Sequence, residues 1–442
     1  MDRDTIIAFA YFCGPLRFII FIERQMNYKK TALNLSFLLA TLLPFTSCTD
    51  TVIEEKNVIN DIEIPFEATF RQDTVTFGKL PDGSARYIFR LDESSASITD
   101  PSKYSFRVDE LLQLRATSAS DSLRITSYSA QTIYDVTLEV YLPEFDRYLS
   151  VAYLDSIPGF SQFEFKPSFV GRRTSYQTED GYFLEFEYPE LDMERMKPRL
   201  KSDDSHFRML EQIDAQWSFS FSNYSWKEGA GETGSWLEMR PIFAREWVVI
   251  VTNYAYMMTT PEYRHVMENF STVFGGDLYD DARVPFTPEK YLSEMERYKQ
   301  PHTFRLGRSG DAVGGLGGGS IWGITGWNYY GHYASYSGWE SIAHEFMHCM
   351  GYGHNSNMTY AADGVGWIAF VWQLHLWLSH EKRLPYLDRN LLGFHKPENA
   401  EYRNNLSIRS DFQDDERLEQ SIMRYYDSSQ LVKYLNEHFI TE

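Results

Sequence analysis

From about Thr51 to Lys201 apolar and polar residues alternate with period two. In "DVTLEVYL", Val136, Leu138, Val140 and Leu142 share one face while Thr137 and Glu139 take the other, as in a half-buried strand. "ARYIFRLDE" follows the turn signal "PDGS" at Pro81–Ser84. Short strands joined by polar turns predict a β-sandwich of about 150 residues. A polar stretch, "MKPRLKSDDS" from Met196 to Ser205, reads as the connector that ends it.

Beyond the connector the texture changes. "EWVVIVTN", Glu246–Asn253, is a continuous apolar run and predicts a buried strand. "TPEYRHVMENF" from Thr260 and "TPEKYLSEMERY" from Thr287 each open with a Thr that can cap a helix and a Pro suited to its first turn. "GGLGGGSIWGITGW", Gly314–Trp327, has no Lys-Ser/Thr after its glycines, so it is not a phosphate loop; it predicts a flexible loop leading into an exposed strand. "GWIAFVWQLHLWL", Gly366–Leu378, is apolar around most of its circumference and too short to span a bilayer, which predicts a core helix. A last helical region runs from roughly Asp414 to Phe439. The expected fold is therefore multidomain, an N-terminal all-β sandwich followed by an α/β (α+β) domain.

Bulk composition narrows this picture without changing it. A chain of 442 residues exceeds what one ordinary core organises, so two domains are expected. A formal charge of -20 disfavours nucleic acid or an anionic lipid surface as partner, because like charges repel. Three cysteines, Cys13, Cys48 and Cys349, are too few for a disulfide framework and fit no cysteine-based zinc knuckle.

The first fifty residues add a targeting signal. From Met26, Lys29 and Lys30 precede an apolar run, Ala32 to Phe45, and small residues before Cys48, the basic–apolar–small order of a secretory signal. "FTSC" resembles the lipobox of bacterial lipoproteins, although Phe45 stands where Leu is usual. That resemblance implies removal of the signal and acylation of Cys48, with each buried methylene contributing roughly 0.8 kcal/mol of anchoring. The expected divisions are an upstream extension absent from the mature protein (1–25), a lipoprotein signal (26–47), the β-sandwich domain (48–200) and a second domain (205–442). The mature protein is expected to cross the inner membrane and to stay at the cell envelope or outer surface of a Gram-negative-type bacterium. Its only contact with the membrane would be the lipid anchor.

Chemistry concentrates in "HEFMHCMGYGHNSNMTY", residues 344–360. On a helix, His344 and His348 lie on one face and can direct imidazoles at one point. Glu345 stands one step round, out of reach of a metal held there but within reach of a water on it, which is where a general base belongs. Gly351 permits a left-handed turn that ends the helix and returns His354 as a third nitrogen ligand. Three protein ligands with one open position describe a catalytic zinc rather than a closed structural one. The five-residue string HExxH arises by chance in roughly a few per cent of chains this size; Gly and His at further fixed offsets lower that about a thousandfold, so composition does not account for it.

This string, H-E-x-x-H-x-x-G-x-x-H, is similar to the signature of the metzincins, a clan of zinc endopeptidases. The resemblance rests on eleven residues and the layout around them, and it does not extend to the N-terminal half. It implies one catalytic Zn2+ held by His344, His348 and His354, with Glu345 as the catalytic base and a protein or peptide as substrate. It also implies a methionine turn beneath the ligands, for which Met358 is favoured over Met423. A tyrosine two residues on, Tyr360 or alternatively Tyr425, would be a fifth ligand or an oxyanion donor. The clan aligns extended substrates on an edge strand just before the zinc helix. Ser320–Thr325, "SIWGIT", is the candidate here, with an ordinary edge strand as the alternative. Cys349 is expected to pack in the core rather than bind metal. The resulting expectation is a lipid-anchored zinc metalloendopeptidase; the rival is a non-catalytic surface lipoprotein with a glycan- or protein-binding sandwich and a degenerate protease domain.

Overall fold

The structure, a computed structural model, describes residues 6–9, 19–22, 73–75, 86–143, 146–177, 183–224, 236–310, 313–333, 335–360, 364–388, 391 and 415–440. Cys48, the signal segment and the Pro81–Ser84 turn lie outside the described residues. Of the extension, only two short paired strands, Ile6–Phe9 and Ile19–Ile22, are described. The described chain is mixed α and β, with strands dominating before Phe221 and helices after Pro241.

The N-terminal half contains two four-stranded sheets. One orders Arg199–Ser202, Ile133–Leu142, Arg147–Ile157 and Asp73–Val75 side by side. The other orders Arg86–Tyr87, Ser161–Phe165, Leu123–Ser127 and Leu112–Ala116. Period-two patterning holds where it was expected: Val136, Leu138, Val140 and Leu142 are all buried, although the pairing with Arg147–Ile157 shifts register between Leu138 and Glu139. The segment read as a connector is partly a strand, since Arg199–Ser202 pairs antiparallel with Ile133–Leu142. Its alternate side chains are exposed, so polarity there reflects an edge position rather than a linker.

A further sheet carries the site. Its strands are β1 (Ser105–Arg107), β2 (Trp217–Phe221), β3 (Trp236–Leu237), β4 (His302–Ser309), β5 (Gly315–Gly318) and β6 (Ile321–Thr325). The order is β5-β6-β4-β2-β1, with β3 pairing beside β4. Strands β2, β4 and β6 run parallel, while β5 is antiparallel to β6 and forms the edge. The edge thus falls on Gly315–Gly318, and "SIWGIT" is an interior strand paired on both sides. Glycine carries no side chain that could have shown period two, so the sequence pattern placed the strand too late.

"EWVVIVTN" is also corrected, because it lies within a helix, α1 (Pro241–Thr259), that opens with Pro at its first turn. Every residue from Glu246 to Met258 is buried. A helix enclosed on all sides shows no apolar stripe, and a short apolar run cannot by itself separate it from a central strand. Thr260 and Thr287 do cap helices, accepting from the Tyr263 and Lys290 N–H groups.

Two more helices complete the frame, α2 (Tyr336–Cys349) and α3 (Trp367–His380). The terminal helical region divides at Ser429 into Asp415–Ser428 and Gln430–Phe439. Gln373 of α3, a polar residue on a largely apolar helix, accepts from Ser429 Oγ at 2.5 Å and from the Leu431 N–H at 3.1 Å, tying the last helix to the core. Between the sheet and the helices lies an aromatic core. Phe346 of α2 packs there against Trp217, Tyr254 and Trp322, with ring centroids 5.2, 4.9 and 5.2 Å away.

Candidate metal centre

Helix α2 is oriented by what it buries. Phe346 falls between the two helix histidines in sequence and faces the aromatic core, so His344 and His348 face away from it. Trp322 of β6 donates its indole N–H to the Ile342 carbonyl at 3.1 Å, fixing the helix along its axis. At its end Gly351 adopts φ +89, and the Tyr352 N–H returns to the Met347 carbonyl at 3.0 Å. That turn sends the chain back past the helix face.

The three histidines meet there. Nε2 of His348 lies 2.9 Å from Nε2 of His344 and 2.9 Å from Nε2 of His354. All three ligand atoms fall within 4.8 Å of one another, a group that could hold a metal ion. Burial is graded, with His344 buried, His348 half-buried and His354 exposed, so the cluster opens to solvent on the His354 side. The ring orientations of the first two are set from behind: Nδ1 of His344 lies 2.6 Å from the Thr359 carbonyl oxygen, and Nδ1 of His348 lies 2.7 Å from that of Tyr352. A carbonyl only accepts, so each Nδ1 carries the proton and each Nε2 keeps its lone pair for a cation. Burial pushes the His344 imidazole down to about 4 and lowers His348 as well, which keeps both neutral at pH 7.

Glu345 occupies the adjoining space and is 4 % exposed. Among the described residues its Oε2 has no hydrogen-bond partner, and burial raises the carboxyl to about 8. Edge strand β5 passes directly over it. A Cβ built on Gly315 would stand 2.6 Å from Glu345 Oε1, and one on Gly317 would stand 2.6 Å from Oε2. The glycines let the strand lie this close.

The remaining sequence candidates separate clearly. Tyr360 stands beside the cluster, its ring centroid 4.7 Å from that of His344 and 5.2 Å from that of His354. Tyr425 instead contacts Trp372 edge-on, and Met423 is exposed on the terminal helices. Met358 is fully buried in the loop leading from His354 to Tyr360. Cys349 is outside the histidine group; its Sγ is 3.0 Å from the Ile321 carbonyl oxygen, and burial pushes its thiol up to about 12.

No protein-family model matches this chain, nor does any curated protein or solved structure.

Several site residues carried no readable sequence signal. The carbonyls of Tyr352 and Thr359 act through the backbone, where residue type is silent. Asn357 pins the ligand loop from both ends: its Oδ1 accepts from the Tyr279 N–H at 2.7 Å, and its Nδ2 donates to the Asp277 carbonyl at 2.9 Å. Asp281 accepts from the N–H groups of Gly353 and Asn355. Gly315 and Gly317 were visible only as a glycine-rich run.

Proposed function

We propose that this protein is a zinc-dependent endopeptidase whose catalytic unit, residues 205–442, is of the metzincin type and follows a β-sandwich domain at 48–200. The observation that carries this reading is the convergence of three Nε2 atoms beside the buried Glu345 carboxyl, whose Oε2 has no hydrogen-bond partner among the described residues. Three imidazole nitrogens suit zinc, and tetrahedral ligation at about 2.0–2.1 Å would set them roughly 3.4 Å apart. Opening the 2.9 Å spacings to that value takes a movement within side-chain reach.

When bound, zinc supplies a Lewis acid that polarises the scissile carbonyl and acidifies water. Burial alone favours the protonated Glu345 carboxyl, and a cation on the three histidines would favour its ionised form, in which Glu345 would take the proton of the attacking water and return it to the leaving amine. The Tyr360 ring stands beside those of His344 and His354, and its hydroxyl would donate to the developing oxyanion. Strand β5 is paired with a strand on one side only among the described residues, and an extended peptide laid on its outer edge would run past Glu345. Acylation at Cys48 would hold the enzyme at the cell envelope, with protein as its substrate and no nucleic-acid partner.

The test is metal content together with casein cleavage in the wild type and in Glu345→Ala. The wild type is expected to retain about one zinc through dialysis and to lose cleavage with a chelator. Glu345→Ala is expected to keep zinc and lose at least about 10²–10⁴-fold in activity. Zinc retention without cleavage of casein, gelatin or a peptide library would favour the non-catalytic lipoprotein instead.

A further inference from the structure

We infer that Asp281, from a loop 72 residues before Gly353, is the positioning residue that sets the third ligand, His354. This inference rests on the zinc reading above and extends it to a part of the chain outside the histidine motif.

The three candidate ligands are held differently. Rings of His344 and His348 are fixed through Nδ1 by backbone carbonyls. His354 is exposed, lies off the helix, and among the described residues takes no hydrogen bond at Nδ1. Its placement must therefore come through its backbone. The residues on either side of it both donate to one carboxylate, Gly353 N–H to Asp281 Oδ2 at 2.6 Å and Asn355 N–H to Asp281 Oδ1 at 3.2 Å. Asp281 thus straddles the ligand, using both oxygens, with charge-assisted bonds stronger than a neutral acceptor would form.

The clamp is braced on both sides. A Cβ on Gly353 would stand 2.7 Å from Asp281 Oδ1, so the close approach requires glycine. The Gly353 carbonyl in turn accepts from Thr359 Oγ1 at 2.8 Å and Ser356 Oγ at 2.9 Å. On the other side, Asp280 Oδ1 accepts from the Ala282 and Val284 N–H groups, closing a turn around Asp281. Tyr279 pairs with Pro285 across the base of that turn, and its N–H donates to Asn357. The turn is thus held by its own hydrogen bonds, and His354 is delivered against it. Loss of an outer partner that orients a ligand typically weakens metal binding about 10–100-fold.

The experiment compares the full protein with Asp281→Ala, Asp281→Asn and His354→Ala. Zinc dissociation constants are measured by chelator competition, and coordination is read from the visible bands of the cobalt(II)-substituted proteins. Asp281→Ala is expected to weaken zinc about 10–100-fold and to shift the cobalt spectrum toward that of His354→Ala. Asp281→Asn, which keeps one acceptor oxygen, should fall between it and the wild type; it also serves if the alanine variant folds poorly. Wild-type affinity and an unshifted cobalt spectrum in both Asp281 variants, with His354→Ala impaired, would overturn the inference and leave the zinc reading standing. A wild type that binds no zinc would overturn both.

Discussion

Gly317 lies so close to Glu345 that a Cβ on it would fall 2.6 Å from the Glu345 Oε2 and 2.7 Å from its carbonyl oxygen. The edge strand and the proposed base are therefore one packed unit. Gly317→Ala is expected to displace either the strand or the carboxylate, and to lower kcat/KM by about 10²-fold while zinc content stays unchanged. Metal analysis beside steady-state kinetics checks this. An alanine variant with wild-type kinetics would show that the contact is slack.

Tyr360 and its alternative Tyr425 each follow a methionine by two residues in the sequence, but they stand in different places. Only Tyr360 stands beside the histidines, while Tyr425 lies against Trp372. Tyr360→Phe is expected to reduce kcat by about 10-fold or more with little change in zinc affinity, as loss of an oxyanion donor does, and Tyr425→Phe to leave kcat unchanged. The reverse pattern would move the oxyanion site to the terminal helices.

Phe346 joins the stability of the helix to the direction of its two histidines. Fully buried among Trp217, Tyr254 and Trp322, it leaves a large cavity when truncated. Phe346→Ala is expected to cost about 3–5 kcal/mol in chemical denaturation of the metal-free protein. Zinc affinity should fall with it, because rotation of α2 turns both helix histidines.

Glu246 and His332 form a fully buried pair, 2.5 Å apart, between α1 and the end of the helix at Gly326–Gly331. Burial raises Glu246 from 4.5 to about 8 and lowers His332 to about 3, so a neutral carboxyl donates to a neutral imidazole. The raised carboxyl contributes stability that is full below pH 4.5 and is lost as pH rises through about 8. His332 acts in the opposite sense, its contribution being present above its ordinary value of 6.5 and lost as pH falls through about 3. Glu246→Gln keeps a donor and removes only the carboxyl titration. The Tm difference between Glu246→Gln and wild type should therefore move in favour of the variant from pH 5 to pH 8. A difference independent of pH would refute the neutral pair.

How legible the molecule was depended on the kind of signal. Strand Ile133–Leu142 declared itself because one of its faces is wet and the other dry, and Thr260 and Thr287 because capping is local chemistry. Helix α1 misled because burial on every side erases the stripe that distinguishes helix from strand. The edge strand was placed five residues too late, at Ser320–Thr325 rather than at Gly315–Gly318, because glycine has no side chain to alternate. Among the site residues, His344, Glu345 and His348 were readable from helical spacing, since four residues make about one turn, and His354 from its offset beyond Gly351.

The sequence by itself determined the donor types, the helix that aligns two of them and the glycine that turns the chain toward the third. Only the tertiary structure decided which tyrosine stands beside them, which strand covers Glu345, and that Asp281 grips the loop bearing His354. Local spacing is set by helix geometry, which any residue-by-residue reading can apply. Contacts between distant segments depend on backbone carbonyls, amides and bare Cα positions brought together by the aromatic core, and those groups look alike at every position of the chain.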